Sequence, residues 1–505
     1  ITTTTITADF STGHTIANTA TYDVFGNLIV ETVSCCQQKS FAFSSVTQYS
    51  QPDSETDGSG PTLQTVFAYN PNTSEVTTVT APNGNQTGYQ YDSAWRASQV
   101  NSPTGAISTT SFDRDGSGND LLSYVVQSTY HELDGTLKTI TTHSYYDGVG
   151  HVTRSGSGAG AFPTSLDSVA MTYDSLGRLS TKSNPYGGSS IATTGGSQPL
   201  TASTYDGLGR VIQINLPGGG AIVSAFTANS SGNFVTVTDQ VGRQRQTVSD
   251  GLGRVVKLFE QDPSSGNLTM ETDYAYDMLD NLVAVDQGGQ QRTFVYDALS
   301  RLTKVTTPEA GTVNYSYNDF SLVATRQDAR GVTTNYNYDG LRRLQTITYG
   351  ALPDGVAATA GVTISYNPSG IGIGQLSSVT DAGGNETYTY DGFGRLSSKA
   401  RKIDASSDTY TTGYQYNQAN QLAIVTYPSG KQFRVDHDSR GRILGEDKLN
   451  SSGGIATSYV SAIAYSPAQQ VTSMTLGNNV IEGYTYDANR LQLIPKQMPR
   501  AVAAR

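Results

Sequence analysis

The fold is decided by a pattern that begins as Tyr276-Asp-Met-Leu-Asp-Asn-Leu282 and returns as Tyr296-Asp-Ala-Leu-Ser-Arg-Leu302. Two more copies follow as Tyr317-Asn-Asp-Phe-Ser-Leu-Val323 and Tyr338-Asp-Gly-Leu-Arg-Arg-Leu344. Successive first tyrosines are 20, 21 and 21 positions apart. A fixed period of this length is the signature of a repeat architecture rather than of one globular core.

Further copies occur along most of the 505-residue chain, and the most regular have the form Tyr-Asp-x-x-Gly-Arg-Leu/Val. Together they make up a structural repeat motif. Its predicted members are Tyr22, Asp23, Tyr91, Asp92, Tyr146, Asp147, Tyr173, Asp174, Gly177, Arg178, Tyr205, Asp206, Gly209, Arg210, Tyr276, Asp277, Tyr296, Asp297, Tyr338, Asp339, Tyr390, Asp391, Gly394, Arg395, Tyr486 and Asp487.

Each copy predicts a β-hairpin. The tyrosine ends a strand, the aspartate opens a four-residue turn and accepts the backbone N–H two residues on, and glycine at the fourth position suits a type I turn. We call this the tyrosine turn. About ten residues later comes a second turn, for example Asp328-Ala-Arg-Gly331 or Asp381-Ala-Gly-Gly384. Two turns per repeat leave two strands of ordinary length.

One such hairpin is marginal in water, so the repeats must pair edge to edge. We therefore predict an all-β fold in which tandem repeats of about 21 residues form an extended, spiralling antiparallel β-sheet. The predicted array covers 22–490, with loop insertions near 184–204 and 349–361. An N-terminal strand or cap segment occupies 1–21, and a basic non-repeat tail occupies 491–505.

Composition supports this interpretation and limits the possible partners. The chain has 53 Gly and 31 Tyr, 15% charged residues and a net charge of −11. An acidic surface disfavours nucleic acid, and no apolar run is long enough for a transmembrane segment. The first residues, Ile1 to Ile6, do not resemble a signal peptide. Cys35 and Cys36 are adjacent, so we expect two unpaired thiols rather than a disulfide framework.

The repeated Tyr-Asp-x-x-Gly-Arg-Leu/Val unit resembles the YD or Rhs repeat. This family includes bacterial Rhs toxins, shell proteins of insecticidal toxin complexes, wall-associated proteins and the teneurin ectodomain. The resemblance covers about 22–486 and implies a long sheet that spirals into a hollow shell around a toxin or another polypeptide. Other members act in cell-surface contact and bind carbohydrate. The Asp-Pro-x-x-Gly-Arg core motif of the toxin members is missing here, and no toxin domain follows Tyr486.

No residue set predicts catalysis, a cofactor or a firm metal site. The aspartates recur as equals, whereas an active site needs one special group, and the arginines after the glycines are expected to pair with an Asp or stack on a Tyr. His151 and His437 are interpreted as variants of the Arg and Tyr positions. Trp95 is expected to pack inward. Weak calcium candidates are Asp113, Asp115 and Asp120, but Tyr124 stands where a bidentate glutamate is needed.

The leading functional hypothesis is a non-catalytic, extracellular structural or encapsulating scaffold. Three alternatives stay open: a cell-surface or carbohydrate-binding module, a shell fragment of an Rhs-type toxin whose core and toxin domains are absent, and a self-associating extracellular fibre subunit. The corresponding partners are glycans or cell-surface molecules, an enclosed polypeptide, or a second copy joined through sheet edges.

Overall fold

The computed structural model describes residues 2–9, 14–33, 37–58, 62–114, 122–159, 166–188, 198–352, 355–404 and 407–495. Within these ranges the chain forms a sheet of 41 strands and one short 3-10 turn at Ser45–Thr47, with no α-helix. No helix there has the length and hydropathy to cross a membrane. Cys35 and Cys36 lie outside the described residues, so the expectation of free thiols remains a prediction.

The strands follow one another along the whole chain. They are β1 (Thr2–Asp9), β2 (His14–Tyr22), β3 (Leu28–Val33), β4 (Gln37–Phe43), β5 (Pro52–Asp57), β6 (Leu63–Tyr69), β7 (Val76–Thr80), β8 (Gln86–Tyr91), β9 (Ala97–Asn101), β10 (Ile107–Arg114), β11 (Leu122–His131), β12 (Leu137–Tyr146), β13 (Val152–Ala159), β14 (Leu166–Tyr173), β15 (Leu179–Ser183), β16 (Tyr186–Gly188), β17 (Leu200–Tyr205), β18 (Val211–Asn215), β19 (Ala221–Asn229), β20 (Gly232–Thr238), β21 (Gln244–Ser249), β22 (Val255–Gln261), β23 (Leu268–Tyr276), β24 (Leu282–Gln287), β25 (Gln290–Tyr296), β26 (Leu302–Thr307), β27 (Gly311–Tyr317), β28 (Val323–Gln327), β29 (Thr333–Tyr338), β30 (Leu344–Tyr349), β31 (Val362–Tyr366), β32 (Leu376–Asp381), β33 (Gly384–Tyr390), β34 (Leu396–Ile403), β35 (Thr409–Tyr416), β36 (Leu422–Thr426), β37 (Gln432–His437), β38 (Ile443–Leu449), β39 (Ile455–Tyr465), β40 (Val471–Leu476) and β41 (Ile481–Gly483).

Pairing is antiparallel and almost always links neighbours in sequence, as from β21 through β34. β14 is an exception, because β15 pairs with its end and β16 with its beginning. In most tyrosine hairpins the register shifts by one residue just before the tyrosine; Thr172 faces Thr181, but Tyr173 faces Leu179. Such an extra residue is a β-bulge, which increases the local twist of the sheet.

The chain divides into two compact units, each assembled from distant segments. Unit 1 comprises Ile1–Tyr89, Phe226–Thr236 and Gln244–Thr412, and unit 2 comprises Gln90–Ala225, Val237–Arg243 and Gly413–Arg505. The predicted division into cap, array and tail follows the sequence repeat, whereas the two units are defined by spatial contacts, so that division stays a prediction. The insertion predicted near 349–361 overlaps the described residues 350–352 and 355–361, which form no strand between β30 and β31.

Within each unit, strands roughly 300 residues apart in sequence come into contact through their turns. In unit 1, a Cβ built on Gly394, in a tyrosine turn, would lie 2.7 Å from Nδ2 of Asn83, in a second turn. In unit 2, the Thr104 hydroxyl donates to the Gln418 carbonyl at 2.6 Å. Tyrosine turns of the later strands thus pack on second turns of the earlier strands in both units.

The apolar core is thin, as a single sheet requires. In unit 1 the buried apolar side chains include Val248, Leu258, Val313 and Val332. Most other strand residues are half-buried, so the sheet depends on side-chain hydrogen bonds and ring contacts between neighbouring repeats as well as on apolar burial.

Candidate functional site: the repeated tyrosine–aspartate–arginine network

The aspartate of each tyrosine turn accepts hydrogen bonds from its own hairpin. Asp174 Oδ1 accepts the backbone N–H of Leu176 at 2.9 Å and that of Arg178 at 3.0 Å. Gly177 closes the turn by donating its N–H to the Asp174 carbonyl at 3.0 Å, with φ +76°. The same two bonds to Oδ1 recur at Asp23, Asp92, Asp147, Asp206, Asp250, Asp277, Asp297, Asp339, Asp391 and Asp438.

Asp487, the last predicted member, differs slightly, since it accepts from Asn489 and Arg490.

The second carboxylate oxygen binds the arginine that follows the glycine position. Arg178 donates Nε to Asp174 Oδ2 at 2.8 Å and places Nη2 at 2.7 Å from the same oxygen. This hydrogen bonding, first from the Arg178 side chain and then from its backbone N–H, lowers the pKa of Asp174 below its usual value. The carboxylate is therefore ionised at neutral pH and serves as an acceptor rather than as an acid.

The arginine also reaches the next repeat. The Arg178 guanidinium lies 4.5 Å from the centroid of the Tyr205 ring, and its Nη1 donates to the Asp206 carbonyl at 3.2 Å. Stacking of a cation on the ring face is favourable. Equivalent stacked pairs are Arg96 on Phe112, Arg254 on Tyr276, Arg301 on Tyr317, Arg343 on Tyr366 and Arg442 on Tyr465.

The tyrosine completes the link through its hydroxyl. Tyr205 donates to the Leu179 carbonyl at 2.8 Å, at the start of the returning strand of the preceding repeat. The same bond is made by Tyr173, Tyr276, Tyr317, Tyr338, Tyr366, Tyr390, Tyr465 and Tyr486. One repeat is thus joined to the next by an ion pair, a stacked cation and a phenol hydrogen bond, and we call this set a junction.

The position after the tip of the turn adopts a left-handed backbone whether or not it is glycine. Trp95 occupies it with φ +62°, and Ser300, Arg342 and Asn420 do so at similar angles. The expectation that Trp95 packs inward is wrong, because its side chain is 59% exposed. The left-handed turn backbone directs this position outward.

Two histidines replace motif residues. His151 takes the arginine position, where its Nδ1 lies 2.9 Å from Asp147 Oδ2 and its ring stacks on Tyr173 at 4.5 Å. The hydrogen bond from the His151 side chain is the largest influence that lowers the pKa of Asp147, to about 2. His437 takes the tyrosine position and is buried, and this burial lowers its pKa. Both occupy the places that the sequence interpretation gave them.

A buried polar cluster in unit 2 was missed from sequence. The fully buried Asn417 donates Nδ2 to Glu132 Oε2 at 3.0 Å, and Glu132 pairs with Lys138 at 2.9 Å. Lys138 also donates to the His437 carbonyl. Beside them lies a cavity of about 320 Å³, and its Arg434 pairs with acidic neighbours. The cluster joins segments that are 285 and 299 residues apart, a separation at which local sequence patterns carry no signal.

The metal candidates remain untested. Asp115 and Asp120 lie outside the described residues, and Asp113 is in β10. Across the described part of the chain, no group of three or more His, Cys, Asp or Glu side chains could hold a metal ion.

The family model of the RHS repeat matches residues 276–312 and 372–406. No curated protein matches the chain. A crystal structure of TcdB2-TccC3-TEV superimposes with a TM-score of 0.82 at 14% identity, covering 97% of this chain and 31% of that one. A Photorhabdus luminescens Tc holotoxin pore with a TccC3 mutation gives a TM-score of 0.81 at 13% identity, covering 97% and 31%.

The crystal structure of TcdB2-TccC3 without its hypervariable C-terminal region gives a TM-score of 0.72 at 12% identity, covering 98% of this chain and 34% of that one. The chain thus spans about a third of the length of these structures. Similarity at this level of identity establishes the fold, and the predicted all-β repeat fold is confirmed.

Proposed function

We propose that this chain is an RHS-repeat scaffold, that it is non-catalytic, and that it works outside the cell and encloses another polypeptide. The observation that carries the proposal is the junction. The Asp, Arg and Tyr side chains that could have served in catalysis instead form the contacts that join one repeat to the next. The solved proteins that share the fold are named as Tc toxin components, which favours a shell segment of such an assembly.

The occupied carboxylates support a structural role. Asp297 has 4% of its side chain exposed, accepts two backbone N–H groups and pairs with Arg301. A general acid or base needs a free face and a pKa tuned to the working pH. Hydrogen bonds donated by Arg178 and Arg210 hold the pKa of Asp174 and of Asp206 below the usual value. They are poor proton donors at neutral pH.

Enclosure is tested with a protease-sensitive unfolded reporter fused after Arg505. An enclosed reporter is cleaved far more slowly than the same reporter added free to the unfused protein. A variant that weakens two junctions, with Tyr205 and Tyr276 both changed to phenylalanine, should restore cleavage. Cleavage at the free rate while the scaffold stays intact would contradict enclosure by this chain.

The extracellular location is tested separately. Fractionation of the producing cells should place the protein in the medium or on the accessible surface, where added protease reaches it in unbroken cells. Recovery in the cytoplasm alone would contradict this part of the proposal.

Carbohydrate binding is the second candidate, and exposed aromatic side chains favour it. Trp95 is 59% exposed, and the rings of Phe25 and Tyr49 stack at 4.9 Å while remaining exposed. Flat exposed rings suit the apolar faces of sugars. A glycan array should show binding that is lost in Trp95→Ala or Phe25→Ala, and a blank array would exclude this function for the glycans displayed.

A further inference from the structure

Unit 2 carries a row of exposed apolar residues on its tyrosine turns. At the tip position, two residues after the aspartate, Val149 is 83%, Leu176 is 74% and Leu208 is 80% exposed. Trp95, one position past the tip of an earlier hairpin of unit 2, is 59% exposed. We call these four residues the apolar ridge. The tip backbones are held by the N–H bonds to the turn aspartates, so the ridge is fixed rather than adaptable.

The later strands of unit 2 show how an edge of tyrosine turns is covered. Their tyrosine turns pack on second turns of strands about 300 residues earlier. Gln418 in the turn after β35 accepts from Thr104 through its carbonyl and from the His131 N–H through Oε1, at 2.6 and 2.9 Å. Further along, Asn184 donates to the carbonyls of Ala488 and Asn489 at 3.0 and 2.8 Å.

On their other side, the same later strands present an uncovered edge that is formed by second turns. Their second turns follow β36, β38 and β40 and are exposed. They carry or adjoin Tyr427, Ile455, Val480 and Ile481, which are 50%, 54%, 50% and 67% exposed. We call these four residues the apolar rim. Large exposed apolar side chains grouped on one edge mark an interaction surface.

The ridge and the rim have the same pitch. Each repeat adds two strands, and neighbouring strands are about 4.8 Å apart, so successive turns on either edge recur about every 10 Å. A tyrosine-turn edge therefore fits a second-turn edge turn for turn, as it does inside unit 2. One molecule thus offers both halves of a contact that it already makes within itself.

We propose that copies of this chain stack head to tail, with the apolar ridge of one copy on the apolar rim of the next. The two surfaces differ, so the contact is heterologous and can continue from copy to copy. The occupant of the ridge is a second copy of the same chain. This inference is independent of enclosure and of location, since it uses only the edges of unit 2.

The test is sedimentation velocity of the purified full chain from about 1 to about 100 µM. The wild type should show a mass that rises with concentration. Leu176→Asp combined with Leu208→Asp, the ridge variant, should raise the dissociation constant at least about 100-fold, because two apolar contacts are lost and charge is buried. Val356→Asp is the matched control, since Val356 is 54% exposed but lies in the loop between β30 and β31.

A mixing experiment identifies the geometry. A rim variant, Ile455→Asp with Val480→Asp, should also fail to associate alone. Mixed with the ridge variant it should form dimers that grow no further, because one intact ridge meets one intact rim. Circular dichroism should show that both variants keep the wild-type strand spectrum and melting temperature.

A wild type that stays monomeric throughout the range overturns the proposal. So does association of the ridge variant at the wild-type level, or an equimolar mixture of the two folded variants that remains monomeric.

Discussion

Replacing Arg301 by alanine removes an almost buried junction contact. Arg301 Nε lies 2.6 Å from Asp297 Oδ2, with side-chain exposures of 15% and 4%. Its guanidinium lies 4.8 Å from the Tyr317 ring centroid. The substitution leaves the Asp297 carboxylate nearly buried without its cation.

The expected cost follows from this burial. Breaking a buried ion pair from one side costs about 3–5 kcal/mol. Asp297 Oδ1 keeps the Leu299 N–H at 3.0 Å and the N–H of residue 301 at 2.9 Å, so the lower end applies. Loss of the stacked cation is worth about 0.5–1 kcal/mol. We expect a total near 3 kcal/mol in the local opening free energy.

Native-state hydrogen exchange is the suitable assay, because long repeat arrays need not unfold in one step. Backbone amides of β25 to β28 should exchange about 100-fold faster in Arg301→Ala. Arg210→Ala is the matched control at the same motif position, with side-chain exposures of 45% for Arg210 and 21% for its partner Asp206. Solvent screens that pair, so its strands should change far less.

Equal acceleration in the two variants would refute the reasoning, because it would show that burial does not set the strength of a junction. An Arg301→Ala protein with unchanged exchange would refute it as well.

Three further predictions follow from single sites. Ser300→Gly relieves a positive φ of 58° and should stabilise the hairpin by about 0.5–1 kcal/mol, measured by the same exchange assay. Burial lowers the folded-state pKa of His437. The contribution of the neutral His437 to stability is therefore present above the unfolded pKa of about 6.5 and is lost as pH falls through that value towards the folded pKa. We expect the melting temperature to drop less from pH 8 to pH 5 in His437→Phe than in wild type. Asn417→Ala removes the hydrogen bond to Glu132 and should lower stability by about 1–3 kcal/mol, whereas Ser452→Ala on an exposed turn should have almost no effect on thermal melting.

The sequence was sufficient for the repeat and for its turns, since these depend on residues close together in the chain. The aspartate, the glycine position and the arginine of one tyrosine turn lie within five residues and set a hairpin by themselves. The pairing of Arg178 with Asp174 followed from that proximity. Trp95 was mispredicted because hydrophobicity suggested burial, whereas its turn position imposes a left-handed, outward-facing backbone.

Only the tertiary structure decided which distant strands meet. The contacts of Asn417 with Glu132 and of Lys138 with His437 join segments nearly 300 residues apart. Because the repeats share one local pattern, that pattern does not identify which repeat each segment contacts. Their partners are set by the twist and bulges that accumulate over many strands, together with inserted loops. No short stretch of sequence encodes the accumulated twist, so the buried cluster and the exposed ridge can be identified only in the tertiary structure.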